Sequence, residues 1–260
     1  MYREQVFSLA WDYFDKDPQK IEELAINTPD VRASLALFYA ARGSADNSLR
    51  IWNTLTEEQK PNYTDTAKRI AHALFEKHSY RESLEFARQT GIDPEAQFES
   101  VTNGGFEKFV GGADDTLFGW RVFRSDPKLD VLPDSNVKSE GSKSLRLIFK
   151  GYTKGELHNV VQSIAVQPGS RYRLTFMVRT DNLRSGGPPM LQIISGVENK
   201  GIASSQPFEP GSADWKPVTV EFTVPTNFDA VLIRTGRVSC GEECPISGTI
   251  WYDDFRLTKL

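Results

Sequence analysis

The sequence predicts an α+β chain in two parts, an N-terminal α-helical repeat segment and a C-terminal antiparallel β-sandwich or jelly roll. Three observations predict it. Alanine, leucine and charged residues recur at helical spacing through the first 95 residues, with few glycines. From Ser100 onward glycine, proline and alternating β-branched residues take over. Between them, Thr90-Gly91-Ile92-Asp93-Pro94 reads as a stop, because Gly91 suits the left-handed position after a helix and Pro94 blocks continuation. The expected domains are 1–95 and 100–260.

The helical part repeats. Val31–Leu55 falls on Thr66–Thr90 at an offset of 35, which puts Leu35 on Ile70, Ala36 on Ala71, Tyr39 on Leu74, Ser48 on Ser83 and Leu49 on Leu84. Pro61 and Pro94 punctuate the two units. Each unit reads as two helices, with a small residue (Ala36, Ala71) admitting close approach of the second helix. Gln5–Leu24 reads as a worn preceding unit whose second helix opens at Asp17-Pro18. Over Val31–Pro94 the pattern resembles tetratricopeptide repeats, whose period is about 34 residues. It departs from that family in carrying alanine where the first helix has a glycine. The resemblance implies an element that binds a protein partner or acts as a spacer. Phe7, Trp11, Phe14, Phe38, Tyr39 and Trp52 are expected to pack between helices, and a peptide groove is the alternative.

The second part alternates with period two. One face collects Leu145, Leu147 and Phe149, then Tyr172, Leu174, Phe176 and Val178, then Val218, Val220, Phe222 and Val224, then Trp251, Asp253, Phe255 and Leu257. His158–Val166, Met190–Val197 and Asp229–Val238 are further strands. Turns fall at Gln167-Pro168-Gly169, Gly186-Gly187-Pro188-Pro189, Glu209-Pro210-Gly211 and Pro225-Thr226-Asn227. Many short alternating strands without intervening helices imply a sandwich.

Size and composition bound the function. The chain has 260 residues, 39% hydrophobic and 25% charged, with a net charge of −4. It is long enough to bury a core without staples. Mild acidity without a basic stripe argues against a nucleic-acid partner. No run of 18 apolar residues suggests a membrane span. Met1-Tyr2-Arg3-Glu4-Gln5 lacks the order of a secretory leader, although a piece of a longer exported protein would carry its leader elsewhere. Cys240 and Cys244, spaced C-x3-C and apart from His72, His78 and His158, do not make a zinc site. They are expected to form a small loop disulfide, which points to an extracytoplasmic, oxidising compartment; two free thiols are the alternative.

Four stretches in order carry a second resemblance: Asn103-Gly104-Gly105-Phe106-Glu107 followed by Gly119-Trp120; Gly141-Ser142-Lys143-Ser144-Leu145-Arg146-Leu147; Val166-Gln167-Pro168-Gly169-Ser170-Arg171-Tyr172; and Gly248-Thr249-Ile250-Trp251-Tyr252-Asp253-Asp254-Phe255. Over Ser100–Leu260 they look like the jelly-roll carbohydrate-binding modules of the galactose-binding-like fold group. That resemblance implies a structural Ca²⁺ with carboxylates from Glu107 and Asp253 and a backbone carbonyl from Lys143, a donor set suited to a hard cation. The alternative is that Asp253 accepts backbone N–H bonds or pairs with a base.

A sugar site needs aromatic surface and fork-shaped polar side chains. The candidates are Trp120, Tyr152, His158, Gln162, Arg179, Gln192, Trp215 and Arg234. Parity puts Arg179, Gln192 and Arg234 opposite the core, and Tyr152, in Gly-Tyr-Thr-Lys-Gly, is expected at the rim of that ligand face. Trp120, Trp215 and Trp251 also read as core or edge covers, and Gln162 shares parity with Ile164. No hydrolase, metalloprotease, phosphate-loop or dinucleotide motif is present. The carboxylate pairs Asp114-Asp115, Glu242-Glu243 and Asp253-Asp254 are adjacent in sequence, whereas glycoside hydrolysis needs carboxylates about 5–9.5 Å apart across the bond. The expected function is therefore non-catalytic glycan or polysaccharide binding. A protein-interaction scaffold is the alternative, and a glycoside-active enzyme a lesser one.

Overall fold

The computed structural model describes residues 2–25, 27–108, 110–112, 116–124 and 126–260. The chain divides into two compact units, Met1–Pro94 and Glu95–Leu260. The pair Asp114-Asp115 lies outside the described residues.

The first unit contains α1 (Tyr2–Tyr13), α2 (Pro18–Leu24), α3 (Pro29–Ala41), α4 (Ala45–Trp52), a 3-10 turn (Lys60–Tyr63), α5 (Thr64–Glu76) and α6 (Tyr80–Gln89). Asp17 caps α2 by accepting from the Gln19 N–H at 3.0 Å, and Pro18 fills the first helical position. α3 and α5 begin 35 residues apart, as do α4 and α6. Equivalent residues make equivalent bonds: Ser48 Oγ donates to Ala36 O at 2.8 Å, and Ser83 Oγ donates to Ala71 O at 2.9 Å. Alanine at 36 and 71 leaves those carbonyls open to a serine of the following helix. Phe7, Trp11, Phe38, Tyr39 and Trp52 are buried, with Phe7 and Trp11 each 5.7 Å from Phe38 and Trp52 5.4 Å from Phe86. Gly91 ends α6 at φ +73, and the Ile92 N–H returns to Ala87 O at 2.8 Å.

The second unit consists of two five-stranded antiparallel sheets. One, here sheet A, has the order β1 (Arg121–Val122), β4 (Val160–Ala165), β9 (Ala230–Arg237), β6 (Pro189–Ser195), β7 (Gly201–Ser204). The other, sheet B, has the order β2 (Leu129–Asp134), β3 (Ser144–Lys154), β10 (Glu243–Lys259), β5 (Arg171–Ser185), β8 (Gly211–Thr223). The core between them takes Val160, Leu191, Ile193, Val231 and Ile233 from sheet A. From sheet B it takes Leu145, Leu147, Leu174, Phe176, Val220, Phe222, Ile250 and Tyr252.

Two bulges displace side chains from the faces that strict alternation assigns. Gly151, at φ +77, sits where the β10–β3 register shifts between Ile246 and Ser247. The extra residue turns Tyr152 inward, where it is 2% exposed and donates from its hydroxyl to Glu156 O at 2.7 Å. The expectation of an exposed rim tyrosine is thus corrected. Asp254, at φ 52, marks a shift in the β10–β5 register between Asp253 and Arg256. Before it Ile250 and Tyr252 face the core, and after it Phe255 does. Trp251 therefore does not share the face of Phe255. It lies in register with Arg146 and Arg179, its Nε1–H donates to Asp134 Oδ2 at 3.0 Å, and the Arg179 guanidinium stands 5.9 Å over its ring.

Candidate glycan-binding face and loop cluster

The outer surface of sheet A carries a transverse row of residues. In register, Arg121 faces Val161, Val161 faces Arg234, Arg234 faces Gln192, and Gln192 faces Ser204. Because Ile193, Val231 and Ile233 point into the core, Gln192 and Arg234 stand on the opposite side. Arg234 donates from Nε to Gln192 Oε1 at 2.9 Å and from Nη1 to Asn199 Oδ1 at 3.0 Å. Arg121 donates from Nη2 to Ser163 Oγ at 3.0 Å. A shallow hollow of about 370 Å³ opens there, lined by Met190, Gln192, Ile194, Ile202, Ser204 and Arg234 among others. Gly236 makes room for the Gln192 side chain: a Cβ at that position would lie 2.5 Å from Gln192 Cδ.

His158 belongs to this neighbourhood. Its Nδ1 lies 3.4 Å from Glu156 Oε2, and its ring interacts with Gln192 and Arg234. Burial and then the Arg234 charge hold its pKa below the usual histidine value, against the raising pull of Glu156 and Gln192. Partial burial likewise lowers the pKa of Arg234, with Glu156 opposing.

The structure brings His158, Gln192 and Arg234 together but separates other expected members. Arg179 is on sheet B, paired with Asp214 at 3.0 Å, so it cannot share a face with Gln192. Trp120 is 3% exposed and packs 4.9 Å from Phe255 and 5.3 Å from Phe106, as core. Gln162 points inward and exchanges two bonds with the Thr102 backbone, at 3.0 and 2.8 Å. Trp215 is half-buried on β8. Sequence reasoning missed Arg121, Asn199, Ser204 and the exposed Phe123, whose N–H donates to Asn159 O beside His158 at 2.8 Å. The signal at Phe123 was its parity with Arg121, hidden because β1 is only two residues long.

The second cluster joins the Asn103–Glu107 loop, the Ser139–Ser144 loop and the β10 bulge. Phe106 and Asn103 are left-handed at φ 55 and 52, and the Phe255 N–H closes onto Gly104 O at 3.0 Å. Glu107 Oε1 accepts from the N–H groups of Ser142 at 2.8 Å and Lys143 at 3.3 Å, and Oε2 accepts from the Ser142 hydroxyl. Asp253 is 1% exposed; its Oδ2 accepts from Ser139 N at 2.8 Å and Glu140 N at 3.2 Å, and its Oδ1 from Asp254 N at 2.8 Å. A Cβ on Gly105 would stand 3.8 Å from Glu107 Oε1 and 3.9 Å from Asp253 Oδ1, so both carboxylates address one spot. Burial pushes the Asp253 carboxyl up, and the three backbone donors pull against it. The Ser142 hydroxyl leads in holding Glu107 down. Among the described residues no three Asp, Glu, His or Cys side chains converge, so any cation here would need backbone oxygens as well. Lys143 contributes its N–H to Glu107 Oε1 and its Nζ to Glu107 O at 3.1 Å.

Cys240, in the connection after β9, is disulfide-bonded to Cys244 at the start of β10, Cα to Cα 5.4 Å. Beside them the buried Arg237 donates to Gly187 O, Lys154 O, Cys244 O and Ser185 Oγ, at 3.0, 2.9, 2.6 and 2.8 Å.

Residues 99–236 match the family described as carbohydrate binding domain. Among solved structures, one titled "CBM4 structure and function" shares 16% identity at a TM-score of 0.46, over 62% of this chain and 99% of that one. TmCBM61 in complex with β-1,4-galactotriose shares 16% at 0.40, over 64% and 100%. The apo form of a cyclase from Fischerella sp. shares 16% at 0.42, over 62% and 97%. No curated protein matches the sequence.

Proposed function

From the premise that this chain belongs to the carbohydrate binding domain family, we propose that the outer face of sheet A is where its β-sandwich binds glycan, without catalysis. The observation that carries this is the row Arg121–Val161–Arg234–Gln192–Ser204, whose last three members line a hollow of about 370 Å³. Amide and guanidinium groups there are already oriented by one another, so little ordering cost remains when a ligand's hydroxyls arrive. No carboxylate lines the hollow, and hydrolysis of a glycosidic bond calls for two. A glycan-array screen followed by titration of Gln192→Ala tests the reading. Binding should fall at least on the order of tenfold, as expected when a ligand loses a good polar contact, with an unchanged melting temperature. Equal binding by the variant would move the site elsewhere.

Three finer readings accompany it. Glu107 and Asp253, with backbone oxygens around Lys143, would hold a structural Ca²⁺; the buried, upward-shifted Asp253 carboxyl supports a cation that would neutralise it. The helical unit would be a tetratricopeptide-like partner-binding or spacer element. The 35-residue equivalence of its hairpins supports this, as does an exposed stripe of Tyr2, Val6, Leu9 and Tyr13 along α1. The disulfide supports an extracytoplasmic location.

A further inference from the structure

The arginines of the sandwich differ in their partners. On sheet B, Arg171 and Arg173 share Glu221, Arg179 has Asp214, Arg146 has Asp134, and Arg256 has Glu140 and Asp254, while Arg184 is exposed to water and forms no ion pair among the described residues. Arg234 on sheet A differs. It is half-buried, and the two groups that orient it, Gln192 and Asn199, are neutral amides. The acid whose charge reaches it, Glu156, is largely exposed and contacts His158 instead. Among the described residues Arg234 forms no ion pair, and it is not held by backbone carbonyls in the way of Arg237.

A guanidinium taken partly out of water without a counter-charge is unfavourable. Hydroxyl recognition alone does not require it, since Gln192, Asn199 and Ser204 supply donors and acceptors at no such cost. What it suits is an anion. Nε and Nη1 are committed to the two amides, which fixes the plane of the fork and leaves Nη2 without a side-chain bond among the described residues. Arg121 carries a second positive charge in the same row, two strands away, or about 10 Å at the usual strand spacing. The hollow beside Arg234 contains no acid to repel a carboxylate.

We propose that the ligand of this face is an acidic glycan, a polymer or oligosaccharide containing uronic acid, whose carboxylate is bound by Arg234. The proposal rests on the reading of sheet A as the glycan face. It is tested with the full chain against polygalacturonate, glucuronoxylan and alginate, each beside its carboxyl-reduced counterpart, and against neutral xylan, β-glucan and galactan, by titration calorimetry. At least one acidic polymer should bind, and reducing its carboxyls to alcohols should weaken binding on the order of tenfold, the loss of one charge-assisted contact. Arg234→Gln should erase that difference, so that the variant binds the acidic and the reduced polymer alike. If Arg234→Gln lowers the melting temperature, the wild-type comparison of acidic with reduced polymer decides alone. Equal binding of acidic and reduced forms, or binding confined to neutral polymers, overturns the uronate assignment and leaves the glycan face standing. Failure of every acidic, reduced and neutral polymer to bind overturns both.

Discussion

Replacing Arg237 by methionine should be the most damaging single change in the sandwich outside its apolar core. The side chain is 5% exposed, and its four bonds tie together the end of β3, the β5–β6 connection and the disulfide-closed segment leading into β10. Methionine keeps the apolar stem and removes every donor. The carbonyls of Lys154 and Cys244 then lose the guanidinium, at about 1–3 kcal/mol for each left without a partner, while Gly187 O keeps the Ser185 hydroxyl. Removing a buried cation returns part of this, because burial already disfavours its charge. The net loss should be about 3–5 kcal/mol, the range seen when a buried charged network loses one member. For a domain of this size each kcal/mol moves the melting temperature by about 2–4 °C, so the transition of the Glu95–Leu260 unit should fall by roughly 6–20 °C. Differential scanning calorimetry of the full chain reads this directly. Arg237→Lys, with one nitrogen in place of three, should fall between. A shift under about 2 °C for the methionine variant would refute the reasoning, since water would then be serving those carbonyls as well as the guanidinium does.

Other expectations follow from the same physics. Tyr252 is 1% exposed and its hydroxyl has no partner among the described residues, so Tyr252→Phe should be neutral or stabilise by about 1 kcal/mol in denaturant melts; a clear loss would show that the hydroxyl is bonded. Replacing both Cys240 and Cys244 by serine should cost about 2 kcal/mol from loop entropy. It should be non-additive with Arg237→Met, because Arg237 bonds to Cys244 O. Excess chelator should lower the melting temperature if Ca²⁺ occupies the Glu107–Asp253 cluster, and an unchanged melt would remove the ion from the account. His158 has a folded pKa below its unfolded value, so the stability it contributes is present above the unfolded pKa, near 6.5, and is lost as pH falls through the folded pKa. His158→Gln should flatten the melting profile over that window, and an identical profile would count against it.

Much of the architecture was legible in residue order. Leu145, Leu147, Tyr172, Leu174 and Phe176 alternate, and alternation alone puts them on one face because successive side chains of a strand point oppositely. Asp17-Pro18 announced a helix start, and Gly91 a helix end, because only certain residues satisfy a helix's terminal backbone groups. Gln192 and Arg234 were readable as outward-facing for the same periodic reason. Parity does not say which sheet a strand joins. Arg179, Gln192 and Arg234 have the same parity logic, yet only the last two are neighbours, because β5 pairs with β10 and β8 while β6 pairs with β9. Bulges were equally invisible. One extra residue at Gly151 turned Tyr152 into the core, and one at Asp254 set Trp251 apart from Phe255, each reversing every side chain beyond it. Periodicity is a local property of the chain and is fixed by the covalent backbone. Strand partnership and register are settled only when distant segments compete for the same hydrogen bonds and the same core, so the membership of the candidate face belonged to the tertiary structure.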